Sequence, residues 1–204
     1  MAHHLPGWRI ESATLAAPGA LDRAQEACGP GALVYPMFMT SGWFTSDALR
    51  ARLTARDAHV LPPFGTDPAL SAMAADLLRE TLAEAGWHAA GTRLFIAAHG
   101  SGRNANSARD TRAFADALAA ATGFAEVRTG FVEEAPYLVD MAFGLGERAI
   151  CLPFFAARGG HVTDDIPEAL QLAAFRGRLL APIGCAPTAP ALVARALATA
   201  EVPA

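Results

Sequence analysis

Leu94-Phe95-Ile96-Ala97-Ala98 runs directly into His99-Gly100-Ser101. Ala149-Ile150-Cys151-Leu152-Pro153-Phe154-Phe155 leads, after three residues, into Gly159-Gly160-His161-Val162-Thr163-Asp164-Asp165-Ile166-Pro167. Both runs are apolar without alternation, the pattern of strands buried on both faces of a parallel sheet. Each histidine therefore falls just past the carboxyl end of a strand, the edge of an open α/β sheet where connecting loops diverge and ligands bind. Two imidazoles brought to one crevice can hold a metal or move protons.

Outward from these runs the chain repeats itself. Val34-Tyr35-Pro36-Met37-Phe38 matches Cys151-Leu152-Pro153-Phe154-Phe155 at an offset of 117 residues. Gly42-Trp43-Phe44-Thr45-Ser46-Asp47 matches Gly160-His161-Val162-Thr163-Asp164-Asp165 at 118. The match extends upstream from Arg9-Ile10-Glu11 against Val127-Arg128-Thr129, and downstream from Val60-Leu61-Pro62 against Leu179-Leu180-Ala181. Each half reads as alternating strands and helices, which predicts an α/β fold of two repeated, doubly wound parallel-sheet lobes with a cleft between them. Alanine- and leucine-rich segments opened by proline predict helices over residues 68–84 and 187–200, with another over 107–121. The boundary falls near the glycine-containing link at 86–92, dividing a degenerate lobe, 1–90, from a lobe carrying the site, 91–204.

The first lobe lacks a counterpart of the strand at 94–98, its histidine turn and the helix that follows. A late start of the chain is expected rather than a deletion, because the first strand of a doubly wound sheet is central and its loss leaves both neighbours unpaired. A distorted first lobe follows, or one that borrows another segment.

Composition excludes several classes. With 52% hydrophobic and 18% charged residues the chain can bury a substantial core. A net charge of -4 offers no basic face for nucleic acid, and neither a membrane span nor a signal peptide is legible. Cys28, Cys151 and Cys185 are odd in number and without CxxC spacing, which argues against a disulfide framework and suits a reducing cytoplasm. Cys151 reads as a buried small residue rather than a ligand. Ala98 before His99-Gly100 is not the arginine of a histidine phosphatase, and Gly100-Ser101-Gly102 is not a nucleophile elbow.

The ordered set of His99-Gly100-Ser101, Phe131-Val132-Glu133, a Pro-Phe-Phe strand and Gly159-Gly160-His161-Val162 with Asp164-Asp165-Ile166-Pro167 resembles the sirohydrochlorin chelatases of the CbiX/SirB type, relatives of the ferrochelatases. The resemblance implies insertion of cobalt or ferrous iron, with nickel or zinc as further options, into a sirohydrochlorin-like tetrapyrrole on the way to cobalamin or siroheme, with no organic cofactor. It implies His99, His161 and Glu133 as metal ligands and catalytic groups, with Glu134 an alternative because the local match is one residue short. It also implies a flat, carboxylate-rich substrate, for which Ser101, Gly159, Gly160 and the cations Arg103 and Arg158 are candidate contacts, with Arg109 and Arg112 behind them. Trp43, with Phe38 and Phe44, suits an apolar wall, since Trp43 replaces the second histidine and Ala16 the glutamate in the first lobe. Asp164 and Asp165 read as acids of a helix's first turn. A homodimer is compatible with these features, and the competing function is a metal- or tetrapyrrole-binding protein of the same fold without turnover.

Overall fold

The computed structural model describes residues 1–42, 44–53, 58–102 and 106–201, with the side chains of Phe44 and Ser46 outside the description. Its centre is a fully parallel four-stranded sheet. Strand β3 (Arg93–Ala98) lies between β4 (Glu126–Phe131) and β5 (Ala149–Pro153), and β6 (Arg178–Leu179) pairs with the far side of β5. Leu94 stands level with both Val127 and Ile150, and Ile96 with Leu152. Successive side chains of β3 alternate between two cores: Leu94, Ile96 and Ala98 enter one, Phe95 and Ala97 the other. That alternation is why the strand reads as an unbroken apolar run, because a period of two puts neighbours on opposite faces and both faces are covered.

Helix α3 (Leu70–Ala85) and helix α4 (Asn106–Thr122) cover the first face, with Leu70, Ala74, Leu78 and Leu82 facing Ala108, Phe114, Ala115 and Leu118 in one core. The apolar spacing of three and four residues makes each a one-sided helix. Gly86 ends α3 at φ +65°, and the Trp87 N–H donates to the Leu82 carbonyl across it, a glycine-capped C-terminus. Short helices α5 (Leu138–Ala142) and α6 (Ile166–Leu172) cover the second face around Phe95, Ala97 and Cys151. The last helix, α7 (Ala189–Ala198), adds Leu192 to the first core. Phe64 and α3, from the first half of the chain, thus close a face of the second half's sheet.

The first half contains helix α1 (Ala20–Cys28), strand β1 (Leu33–Val34), helix α2 (Leu49–Arg52) and strand β2 (His59–Val60), and its sheet is the parallel pair β1-β2. Among the described residues the first half is thus less regular than the second. The strand expected at Arg9-Ile10-Glu11 does not form: these residues have no regular structure and are mostly exposed. In the second half the equivalent strand, β4, pairs in the sheet with β3, whereas residues 9–11 have no strand beside them among the described residues. What remains of the repeat is close. Gly65 and Gly184 occupy matching turns after β2 and β6, where an added Cβ would fall 1.9 Å from the Met39 carbonyl oxygen and 2.2 Å from that of Ala156. Only glycine lets the backbones approach this closely.

Candidate metal centre

The carboxyl edge of the four-stranded sheet gathers the predicted groups. His99 follows β3, Glu133 follows β4, and His161 opens a π-helical turn, His161–Asp165, after β5. One ligand atom from each of the three lies within 4.8 Å of the others, a single set of metal-ligating groups among the described residues. The imidazole rings of His99 and His161 stand 4.5 Å apart, centre to centre, and meet edge to face at 88°. His99 and Glu133 are exposed and His161 is half-buried, so an ion can reach the set from solvent.

Backbone hydrogen bonds hold the loops in place. The Glu133 N–H donates to the His99 carbonyl at 2.9 Å, and the Val132 N–H reaches the Ala98 and His99 carbonyls. The Phe154 N–H donates to Ala97 at 2.7 Å, tying the third loop to β3. Gly100, at φ +74°, turns the chain where a Cβ would strike Phe131 Cβ at 2.8 Å and Glu134 Cγ at 2.9 Å. Glu134, the alternative to Glu133, is engaged elsewhere: its Oε1 accepts the Ser101 N–H at 2.7 Å. The carboxylate that faces the histidines is that of Glu133.

Ser101 is half-buried, and Arg158, Gly159 and Gly160 are exposed beside His161. Trp43 and Arg103 lie outside the described residues. Arg109 is engaged with Asp110, at 2.9 Å, and Arg112 lies over the Phe131 ring at 5.5 Å. Phe38 is half-buried in the segment that follows β1. The first half approaches this edge through Ser41, whose N–H donates to Asp110 Oδ2 at 3.0 Å and whose carbonyl accepts from Asn106 at 3.2 Å. Cys151 is fully buried in β5, and desolvation pushes its thiol up, away from the thiolate a ligand must be.

One sequence expectation changes. Asp165 makes no side-chain capping bond to α6; its Oδ2 lies 2.5 Å from His161 Nδ1. The signal was present as a spacing of four residues, which brings side chains together in a helical turn, but a first-turn acid reads equally well as a dipole partner. The bond between Glu134 and Ser101 left no trace in the sequence.

A separate concavity lies away from this edge. About 690 Å³ opens beside β1 and β2 against the end of α7, lined by residues including Tyr35, Asp67 and Arg195. It contains none of the three clustered groups, and the chemistry is assigned to the cluster because, among the described residues, metal-ligating atoms converge there.

Among known proteins, CbiX from denitrifying bacteria, described as the terminal enzyme for biosynthesis of siroheme, superposes with a TM-score of 0.89 at 46% identity, over 98% of this chain and 87% of that one. SirB from Bacillus subtilis, solved with Fe3+, shares the fold at a TM-score of 0.69 and 17% identity, over 89% of this chain and 77% of that one. A probable sirohydrochlorin cobaltochelatase of Halobacterium salinarum is 27% identical over 161 residues, which is 66% of this chain and 55% of that protein. The chain thus spans about half the length of the curated relative it matches. The CbiX family model matches residues 93–200, the four-stranded sheet with all three clustered groups, and the chain belongs to the CbiX family.

Proposed function

We propose that this chain is a sirohydrochlorin-type chelatase, inserting divalent cobalt or ferrous iron into a tetrapyrrole. The observation that carries the reading is the convergence of His99, Glu133 and His161 at one sheet edge, their ligand atoms within 4.8 Å. The names of two relatives, one a siroheme-forming enzyme and one a probable cobaltochelatase, support the same chemistry.

Insertion exchanges two pyrrole N–H protons for one divalent ion. Two imidazoles and a carboxylate bind cobalt or ferrous iron through nitrogen and oxygen, a set whose selectivity depends on availability as much as affinity. The set is open to solvent, so it can receive an ion and yield it to the ring. As the ion leaves, the freed imidazoles can accept the displaced protons. Glu133 offsets the charge of the incoming ion. Arg158, exposed beside Gly159 and Gly160, is placed to meet a substrate carboxylate, and Ser101 flanks the opposite histidine. Trp43 and Arg103 belong to the same proposal as wall and carboxylate contact.

The test is anaerobic insertion into sirohydrochlorin, followed by its absorbance, with cobalt and ferrous iron in turn. The expected result is wild-type insertion above the spontaneous rate, lost in His99→Ala and His161→Ala. Metal uptake without insertion would instead support a binding protein, a reading favoured by the two-stranded remnant of the first lobe.

A further inference from the structure

The two histidines are supported unequally. His99 Nδ1 lies 2.8 Å from the Gly100 carbonyl, whereas His161 Nδ1 lies 2.5 Å from the Asp165 carboxylate. A carbonyl and a carboxylate can only accept, so each bond assigns the proton to Nδ1 and leaves the lone pair on Nε2. The acceptor at His99 is neutral and that at His161 is charged. Charge-assisted bonds are shorter and about twice as strong as neutral ones.

Asp165 is followed by Ile166, fully buried in the second core, and by Pro167 in the first turn of α6.

We propose that Asp165 is a positioning residue for metal capture. It holds His161 in the Nδ1–H tautomer, keeps Nε2 available to the incoming ion and strengthens this imidazole as a donor, so that His161 is the tighter of the two nitrogen ligands. The inference rests on the chelatase reading of the cluster. Carboxylates behind ligating histidines act in this way, and their removal costs about 10–100-fold in metal affinity.

Cobalt titration of the metal-free chain, read by its visible absorption, together with 15N NMR of the His161 ring, tests the proposal in wild type, Asp165→Asn and Asp165→Ala. Asp165→Asn retains an acceptor like that behind His99 and is expected to weaken cobalt binding the less. Asp165→Ala is expected to lose about 10–100-fold and to release His161 from the Nδ1–H tautomer, with an unchanged thermal melt showing that the fold survives. A purely structural role would shift the melt and leave the tautomer alone. Wild-type affinity or an unchanged tautomer in Asp165→Ala overturns the proposal while the metal centre stands. Absence of cobalt uptake by the wild type overturns both.

Discussion

The two halves of this chain start from related sequence and end as different objects. The second half has four parallel strands with two covered faces, and the strand at its centre delivers His99. Among the described residues the first half has two strands of two residues each, and its sequence has Trp43 where the second half has His161. A strand at the centre of a sheet bonds two neighbours, and β3 does so in the second half while also delivering the first histidine. Residues 9–11 have no such strand beside them among the described residues.

The largest expected effect concerns the chemistry. Glu133→Gln is expected to weaken cobalt binding about tenfold or more with an unchanged melt, and Glu134→Gln to lower the melting temperature and leave affinity within about threefold, since its acceptor role costs roughly 1 kcal/mol at a half-exposed site. The reverse pattern would reassign the ligand to Glu134. Binding is expected to saturate at one ion per chain, the first half contributing none.

Next in size is core stability. Leu33 and Ile150 occupy matching positions at the start of the pairings β1-β2 and β5-β6. Ile150 is fully buried and Leu33 half-exposed. Ile150→Ala is expected to cost about 4 kcal/mol and Leu33→Ala about 1 kcal/mol in denaturant unfolding. Equal losses would show that the remnant sheet is as firmly packed as the complete one.

The smallest effect belongs to a clamp that the first half cannot build. Glu126 bonds Arg128 at 2.6 Å and lies 3.3 Å from its register partner Arg93 across β3 and β4. The Arg128 hydrogen bond, with a lesser contribution from Arg93, holds the carboxyl below its ordinary value of 4.5. A carboxyl depressed in the folded state contributes stability above its unfolded value and loses it as pH falls below that value. Glu126→Gln is therefore expected to flatten the acid limb of the stability curve slightly, because the group is part-exposed and solvent screens it. An acid limb identical in the variant would show that the clamp contributes nothing.

Much of this was legible in the sequence. Unbroken apolar runs predicted parallel strands at 94–98 and 149–155 because both faces of those strands are covered. The helix at 107–121 was found to within a residue at each end, as Asn106–Thr122, because its apolar residues keep one face. The pair of strand-end histidines was legible because a strand followed by glycine and histidine exposes the ring at the sheet edge. The failure at Arg9-Ile10-Glu11 was of another kind: the residues resemble a strand, and a strand exists only with a neighbour. The choice between Glu133 and Glu134 was invisible because adjacent residues at a loop share composition and differ in direction.

Sequence alone determined which residue types sit at strand ends and that segments of the two halves resemble one another, since periodicity and self-similarity are properties of the order of residues. Tertiary structure decided what required distances: that β3 lies between β4 and β5, that Glu133 rather than Glu134 meets the histidines, and that Asp165 stands behind His161 instead of capping a helix. Each depends on where separate loops come to rest against one another, and that is set by packing between segments far apart in the chain.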